Sequence, residues 1–355
     1  MKIGVLTYHR AISYGAVLQA IATRTFLESR GNDVYFVDYF PNYHQAKYRL
    51  FDIKEIFRIN IIRSILYIYY SIRSYSVRNK RLRVFKPFIN EYIEPHCKPS
   101  DKYFDYDVIV YGSDQIWRKQ PGLGMRFNPV YFGKGISPSA KKISYAASMG
   151  VINLNSNDES FLKQYLSNFS NIGVRESSLV TTLGKLGIVA THNIDPTFLL
   201  SSTQWDELFQ IKRIINEDYI LYYKVAQGID ESKLEEFCSH KKYKLIKIYS
   251  YEYSNKSNYN PNPAEFLSLV KYASFVFTTS FHGLAFSLIY QKQFIVSCKV
   301  NSERITSLLD SINLRSRFVE PGDEFEDIYE HKIDYDIVFP VIETIIEDSK
   351  KFLLE

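Results

Sequence analysis

Cysteine and tryptophan are scarce: three and two in 355 residues. Cys97, Cys238 and Cys298 are odd in number with no CxxC spacing, which argues against a disulfide framework or a zinc cage. They read as reduced thiols of a cytoplasmic protein. GxGxxG, GxxxxGK[ST], HExxH and GxSxG are all missing, so the common phosphate-loop, zinc-protease and serine-hydrolase signatures are excluded. Acidic pairs suited to Mg²⁺ occur only as DYD, at Asp105–Asp107 and Asp334–Asp336, ahead of strand-like runs and hence at the wrong sheet edge for a metal-assisted site. A metal-free chemistry on an anionic ligand, with no resident cofactor, is the expectation. Met1 leads directly into KIGVLTY, without the pattern of a secretory leader. The most apolar run, residues 59–72, is interrupted by Arg63 and falls short of the ~20 apolar residues that span a bilayer.

What is present is an ordinary globular composition, 46% hydrophobic and 23% charged, long enough for two domains. Phenylalanine and tyrosine are abundant, at 25 and 29. The net charge is only +5, which declares no nucleic-acid partner, but it is unevenly placed. Residues 47–88 hold eleven Lys and Arg against Asp52 and Glu55, a net of +9 that leaves −4 for the rest. Leu, Ile, Phe and Tyr interleave with these basic residues at roughly helical spacing. The segment reads either as a basic amphipathic helix for a membrane surface or partner, or as a solvated helical insertion.

Short β-branched and aromatic runs alternate with helical stretches, the pattern of parallel α/β domains. Strands are expected at 2–8, 33–39, 106–112, 142–148, 171–176 and 189–196, making one six-stranded sheet. A second series follows at 219–225, 244–250, 274–280 and 293–298, with helices between, and IVFPVIETIIEDSKKFLLE closes the chain as a helix. The expected architecture is α/β, two Rossmann-like domains facing a central cleft, with a C-terminal helix. Residues 1–205 form the N-terminal domain with the basic insertion 47–88; residues 206–355 form the C-terminal domain.

Ligands of open α/β sheets sit beyond the carboxyl ends of the strands. Five strand ends present polar or aromatic groups there. His9, Arg10, Ser13, Tyr14 and Gly15 follow strand one, with Gln19 on the next helix. Gly112-Ser113-Asp114-Gln115 and Trp117 follow the third; Tyr145 and Ser148 end the fourth, Arg175-Glu176 the fifth. Ser280-Phe281-His282-Gly283 follow SFVFTTS. His282 is either a satisfied buried histidine or a functional one beside a helix N-terminus that favours anions, and Gly283 leaves room for close approach. Arg175 is either salt-bridged or a bidentate grip on phosphate or carboxylate. Lys299 and Arg304 either add positive charge or are surface. Asp114 suits a helix N-cap, and Asp195-Pro196 a turn. His9 and His192 stand alone, and His44, His96 and His240 look like surface.

The ordered segments KIGVLTYHRAISYGAVLQA, YDVIVYGSDQIW, KISYAASMG, GVRESS, NIDPTFLL and TTSFHGLAFSLIYQKQFIV resemble the polysaccharide pyruvyl transferases. The likeness runs from residue 2 to about 309, outside the basic insertion and the tail. It implies a GT-B-like fold, phosphoenolpyruvate as donor and co-substrate, and a sugar of a lipid-linked polysaccharide precursor as acceptor. The product would be a cyclic pyruvyl ketal, with release of phosphate. It further implies roles for Arg175 and His282, with His282 as general acid at a pKa near ~6.5. Where other members carry Arg-Leu-His, this chain has Ser280-Phe281-His282, so Arg304 or Lys299 would supply the second cation. Arg175, Ser280, His282, Gly283, Lys299 and Arg304 form the expected donor side. His9, Tyr14, Gln19, Asp114, Gln115 and Trp117 form the acceptor side, with Asp114 a catalytic base and Trp117 stacked on the sugar. Peripheral contact of residues 47–88 with anionic lipid at the inner face of the cytoplasmic membrane goes with a lipid-linked acceptor. Rival readings are a nucleotide-sugar glycosyltransferase on the same fold and a non-catalytic membrane-surface subunit of an assembly complex.

Overall fold

The computed structural model describes residues 1–48, 61–99, 105–135, 137, 139–250, 256–299 and 302–355. β1 (Lys2–Leu6) is followed by α1 (Tyr14–Glu28), β2 (Asp33–Asp38) and α2 (Asn42–Tyr48). Gly31, at φ +78°, ends the turn after α1 in a left-handed conformation that costs glycine least. One long helix, α3 (Ile61–Tyr92), leads into β3 (Cys97–Pro99), β4 (Val108–Tyr111) and β5 (Lys141–Ala147). α4 (Ser156–Leu166), β6 (Asn171–Val174), α5 (Ser177–Lys185) and β7 (Thr191–His192) complete this part. The seven strands are parallel, in the order β3-β2-β1-β4-β5-β6-β7. The reversal of order between β1 and β4 is the switch point of a doubly wound sheet, where a crevice opens. VIVY in β4 is buried at every position, as expected of a strand covered on both faces. The seventh strand is β3, an addition to the six expected. Its three residues, CKP, are too short and too poor in β-branched side chains to announce a strand.

After α6 (Ser202–Phe209) come β8 (Tyr219–Lys224), α7 (Glu231–His240), β9 (Lys244–Tyr249) and α8 (Pro263–Lys271). β10 (Phe275–Thr278), α9 (Phe281–Ile289), β11 (Phe294–Val296) and α10 (Glu303–Ser311) follow. The second sheet is β11-β10-β8-β9, parallel throughout, with the four strands expected. Sharp helix starts come from local chemistry: Asn155 with Asp158, Ser201 with Gln204 and Asn262 with Glu265 exchange reciprocal hydrogen bonds as capping boxes.

A short helix, α11 (Glu326–Glu330), precedes α12 (Tyr335–Leu354), the expected closing helix, which returns to the first sheet. Ser349 Oγ accepts a hydrogen bond from Ile194 N at 3.0 Å, and the Phe352 ring lies 6.5 Å from that of Tyr145. One apolar core runs under both sheets: Tyr14 stacks on Phe266 at 4.4 Å, and Phe88 of α3 meets Phe209 at 5.3 Å. The result is the α/β, GT-B-like arrangement expected, two parallel sheets turning their carboxyl edges to one cleft.

The part of the basic insertion that is described divides into two. The outer end of α3 exposes Ile65, Leu66, Tyr69, Ile72 and Tyr75, whereas Arg81, Phe85, Phe88 and Ile89 are buried. Residues 49–60 of that insertion lie outside the described residues. Among the described residues no helix is long and apolar enough to cross a membrane.

Trp205 marks the core beneath the connection. It is fully buried, its Nε1 donates to Thr197 O at 3.1 Å, and its ring meets Phe286 edge-on at 5.5 Å. Trp205→Ala should cost about 3–5 kcal/mol, read as a shift of the urea midpoint; a change within error would show that this contact is not part of the common core.

Candidate functional site

The cleft, of about 340 Å³, is lined from both sides. Ile12, Ser13 and Tyr14 come from the β1–α1 turn, Asp114 and Gln115 from the loop after β4, and Thr279 to His282 from the start of α9; Arg304 comes from α10. Tyr223 and Tyr249 end β8 and β9, and Arg81 and Phe85 enter from α3.

Beside the cleft, sharing Phe281 and Arg304 with its lining, a buried ionic cluster joins four strand ends. Arg175 follows β6 and is 4% exposed; its Nη2 lies 2.5 Å from Ser113 Oγ and 3.2 Å from Asp195 Oδ2. The Asp195 Oδ1 oxygen accepts from Thr197 N at 3.0 Å and Thr197 Oγ1 at 2.8 Å. Its Oδ2 also lies 3.7 Å from His282 Nε2. Asp195 is completely desolvated, which by itself favours the neutral acid, but Arg175, His282 and the Thr197 donors prevail and hold its pKa below the ordinary value. The turn expected at Asp195-Pro196 is therefore more than a turn: it carries the carboxylate that ties Arg175 to His282. The sequence signal was available, since an acid followed at two residues by threonine is a local hydrogen-bonding pattern, but its long-range partners were not.

The Phe281 ring lies under two cations, Arg175 at 5.0 Å and Arg304 at 5.8 Å. Arg304 Nη1 is 4.0 Å from Asp114 Oδ1. Nε and Nη1 of Arg175, Nε of Arg304 and Nε2 of His282 are buried without a hydrogen-bond partner. Such groups are costly unless matched by an acceptor. An anion with several oxygens is the chemistry that matches them.

His282 sits in the first turn of α9, whose start at the strand end supplies the anion-favouring amides. Its ring crosses Gly15 so closely that a Cβ there would lie 2.0 Å from Nδ1. Gly15 is thus required for the histidine to lie across the switch point. Burial, followed by the opposing pulls of Asp195 and Arg175, pushes the His282 pKa down to about 4. The expectation of an unperturbed value near ~6.5 is corrected accordingly: in the free protein the ring is neutral at pH 7. Glu176, next to Arg175, is also fully buried; desolvation raises its pKa, and it accepts a hydrogen bond from Ser148 Oγ.

Other expected site residues lie elsewhere. Trp117 is fully buried, donates from Nε1 to Tyr131 O at 3.0 Å and stacks on Phe132 at 5.2 Å, so it is core and no platform for a sugar. Gln19 is equally buried. It donates to Thr7 Oγ1 at 2.8 Å and accepts from Ser113 N at 3.3 Å, bracing the loop that carries Asp114 without reaching the cleft. His9 is 1% exposed and stacks on Phe36 at 5.3 Å, outside the cleft lining. Lys299 is exposed and likewise outside it, so of the two candidate cations only Arg304 lines the cleft. Asp114 precedes no helix. It takes φ +64° and its Oδ1 accepts from Gln115 N at 2.8 Å, so the N-cap reading is replaced by a tight turn that leaves it on the cleft wall. Gly283 does permit a close approach, but by its own chain: a Cβ would meet Thr278 Oγ1 at 2.2 Å. Tyr14, Gln115 and Ser280 line the cleft as expected. Sequence reasoning missed Asp195, Tyr223, Tyr249 and Arg81.

Among the described residues one group has the make-up of a metal site: His9, Asp38 and Cys97, with ligand atoms within 4.8 Å of one another. Arg10 already occupies both Asp38 oxygens, at 2.8 and 3.0 Å, and also donates to Glu94. A cation there would meet the guanidinium, and burial pushes the Cys97 thiol up to about 12, away from the thiolate a metal needs. None of the three cysteines is in a disulfide.

The depressed His282 pKa makes a stability prediction. The unfolded chain takes a proton near ~6.5 and the folded one only near about 4, so this contribution is complete above the first value and lost as pH falls toward the second. Thermal melts from pH 7 down to pH 4 should therefore show a shallower acid loss for His282→Gln than for the wild type; parallel curves would show that the ring is not held neutral.

In sequence, no curated protein matches the chain significantly. Among solved structures, UDP-GlcNAc 2-epimerase of Methanocaldococcus jannaschii in complex with UDP-GlcNAc and UDP is 12% identical, with a TM-score of 0.42 over 98% of this chain and 93% of that one. The same enzyme of Neisseria meningitidis is 10% identical, with a TM-score of 0.45 over 99% and 94%. Likenesses at this level say nothing of this chain's chemistry. The family comparison does: the profile of the polysaccharide pyruvyl transferases matches residues 14–297, a span containing Arg175, Asp195 and His282, and the chain belongs to that family.

Proposed function

We propose that this transferase moves the enolpyruvyl group of phosphoenolpyruvate onto two hydroxyls of a galactose-type sugar, forming a cyclic pyruvyl ketal and releasing phosphate. The observation that carries the reading is the placement of His282 and Arg304 on the cleft, with Arg175 and Asp195 in the buried cluster beside them and unpartnered nitrogens on Arg175, Arg304 and His282. The donor, with a phosphate and a carboxylate, suits two guanidinium groups and a helix start better than a neutral ligand would. The half-buried wall formed by Asp114, Gln115 and Ser13 is the acceptor side.

The methylene carbon of the donor must gain a proton before its central carbon becomes electrophilic. His282 is neutral in the free protein because burial and Arg175 and Arg304 oppose its charge, against the pull of Asp195 and Asp114. Donor anions placed on the two arginines offset that opposition and raise the pKa, so the ring takes up the proton it then delivers. The first sugar hydroxyl attacks the central carbon, the C–O bond to phosphate breaks with its electron pair leaving on phosphate, and the second hydroxyl closes the ring. Of the two hydroxyl protons, one replaces that given to the methyl group and the other leaves with phosphate. Asp114 on the cleft wall receives the proton of the attacking hydroxyl. The residues reacting with donor and sugar do so without a resident cofactor in this scheme.

The acceptor is lipid-linked and the protein works at the inner face of the cytoplasmic membrane. Supporting this is α3, which exposes Ile65, Leu66, Tyr69, Ile72 and Tyr75 on a segment of strongly positive charge.

Purified protein with phosphoenolpyruvate and a galactoside should release phosphate only when acceptor is present, with a product heavier by a pyruvyl ketal. UDP release from UDP-galactose without phosphoenolpyruvate would instead establish a glycosyltransferase. His282→Gln should lower kcat about 10²–10⁴-fold, and Arg304→Gln should raise KM for phosphoenolpyruvate more than it lowers kcat. Full activity in His282→Gln sinks the assignment. Separately, vesicles containing anionic lipid should bind the wild type at low salt and release it at high salt, and Ile65→Asp with Ile72→Asp should abolish binding. Equal binding of that double variant would remove α3 from the membrane.

A further inference from the structure

Arg81 is a buried cation with no carboxylate to pair it among the described residues, and it belongs to the basic insertion. It is 1% exposed and lines the cleft. Nη2 donates to Tyr249 O at 2.5 Å, and the guanidinium lies over the Tyr14 ring at 4.9 Å. Nε and Nη1 are buried with no partner. Desolvation lowers its pKa to about 10. A lone buried guanidinium of this kind is expensive to fold, and a backbone carbonyl is a weak return for it. The unspent donors need an anion.

Arg175 and Arg304 both lie against the Phe281 ring, and Arg175 helps to depress Arg304. Arg81 lies instead over Tyr14, whose ring meets that of Tyr223, the neighbour that favours its charge. The cleft thus holds two cationic positions, Arg304 against Phe281 and Arg81 over Tyr14. The second one lies on a helix whose far end is apolar and exposed. Tyr75, the last of the exposed stripe, is six residues from Arg81, about 9 Å along the axis.

Resting on the pyruvyl-transfer reading above, we propose that Arg81 binds the diphosphate joining the acceptor sugar to its carrier. The order apolar stripe, Arg81, cleft follows the order lipid, diphosphate, sugar, and it would make the enzyme act on a carrier-linked sugar and not on a finished neutral chain. The shared chemistry, a sugar diphosphate, occurs on a polyprenyl carrier and on a nucleotide.

Titration calorimetry on the full chain decides, with three probes: galactosyl diphosphate on a farnesyl chain, UDP-galactose and neutral methyl galactoside. The wild type should bind at least one diphosphate, and which one identifies the carrier. Arg81→Gln should weaken that binding about 10–100-fold and weaken the binding of methyl galactoside by less. Arg81→Lys, which keeps charge but not the planar fork, should lose less, and it serves if the Gln variant does not fold. Absence of diphosphate binding by the wild type, equal binding by the variants, or an equal loss toward methyl galactoside each overturns the proposal. Because binding is read without turnover, an Arg81-dependent diphosphate affinity in a protein that transfers no pyruvyl group would leave this inference standing and remove the other.

Discussion

The carboxylate of Asp195 is the constraint on which the site depends. It is wholly desolvated, and an isolated charge there would be costly. Arg175, the two Thr197 donors and His282 make it tolerable, and each is thereby held in place. Arg175 in turn reaches Ser113, so the ends of β4 and β6, the residues after β7 and the start of α9 are locked into one network. Three of these belong to the first sheet and the fourth to the second. The cluster is thus also the polar seam between the two sheets, continuing the apolar seam of Tyr14, Phe266 and Phe281.

Such a network serves reaction better than stability. Replacing a buried ion pair with apolar side chains often leaves a protein no less stable, so its value lies in geometry and charge. Here it keeps a neutral histidine beside two arginines whose remaining nitrogens are unsatisfied. The arrangement is poised to gain when an anion arrives. In the proposed reaction, charge on the ligand would do two things at once: satisfy the guanidinium groups and raise the proton affinity of His282. Gly15 makes this possible by carrying no Cβ where the ring lies.

The basic insertion links the site to what surrounds the protein. Its described helix is not a uniform solvated rod. One end leaves aromatic and aliphatic side chains exposed, and the other packs into the common core and delivers Arg81 to the cleft. A net charge that averages to +5 over the chain therefore conceals a strongly basic segment that also supplies a buried arginine, Arg81.

Much of this was determined by sequence alone. The alternation of β-branched runs with amphipathic stretches specified two parallel sheets, because a strand covered on both faces must be apolar and its crossover must be helical. The strand-end rule then selected Asp114, Arg175, Ser280, His282 and Arg304, since the carboxyl edge of such a sheet is where the chain turns and a crevice forms. What sequence could not settle was direction and partnership. Trp117 and Gln19 occupy the right loop and helix but point inward, a matter decided by the packing of Phe132 and the demands of Thr7 and Ser113. β3 is a strand only because β2 lies beside it. Asp195 looks like the opening of a turn until Arg175 and His282, 20 and 87 positions away, are folded against it. Arg81 looks like one basic residue among eleven until burial strips it of water. Periodicity is a local property and can be read along the chain; pKa, desolvation and charge pairing depend on which distant groups share a low-dielectric volume, and only the tertiary structure decides that.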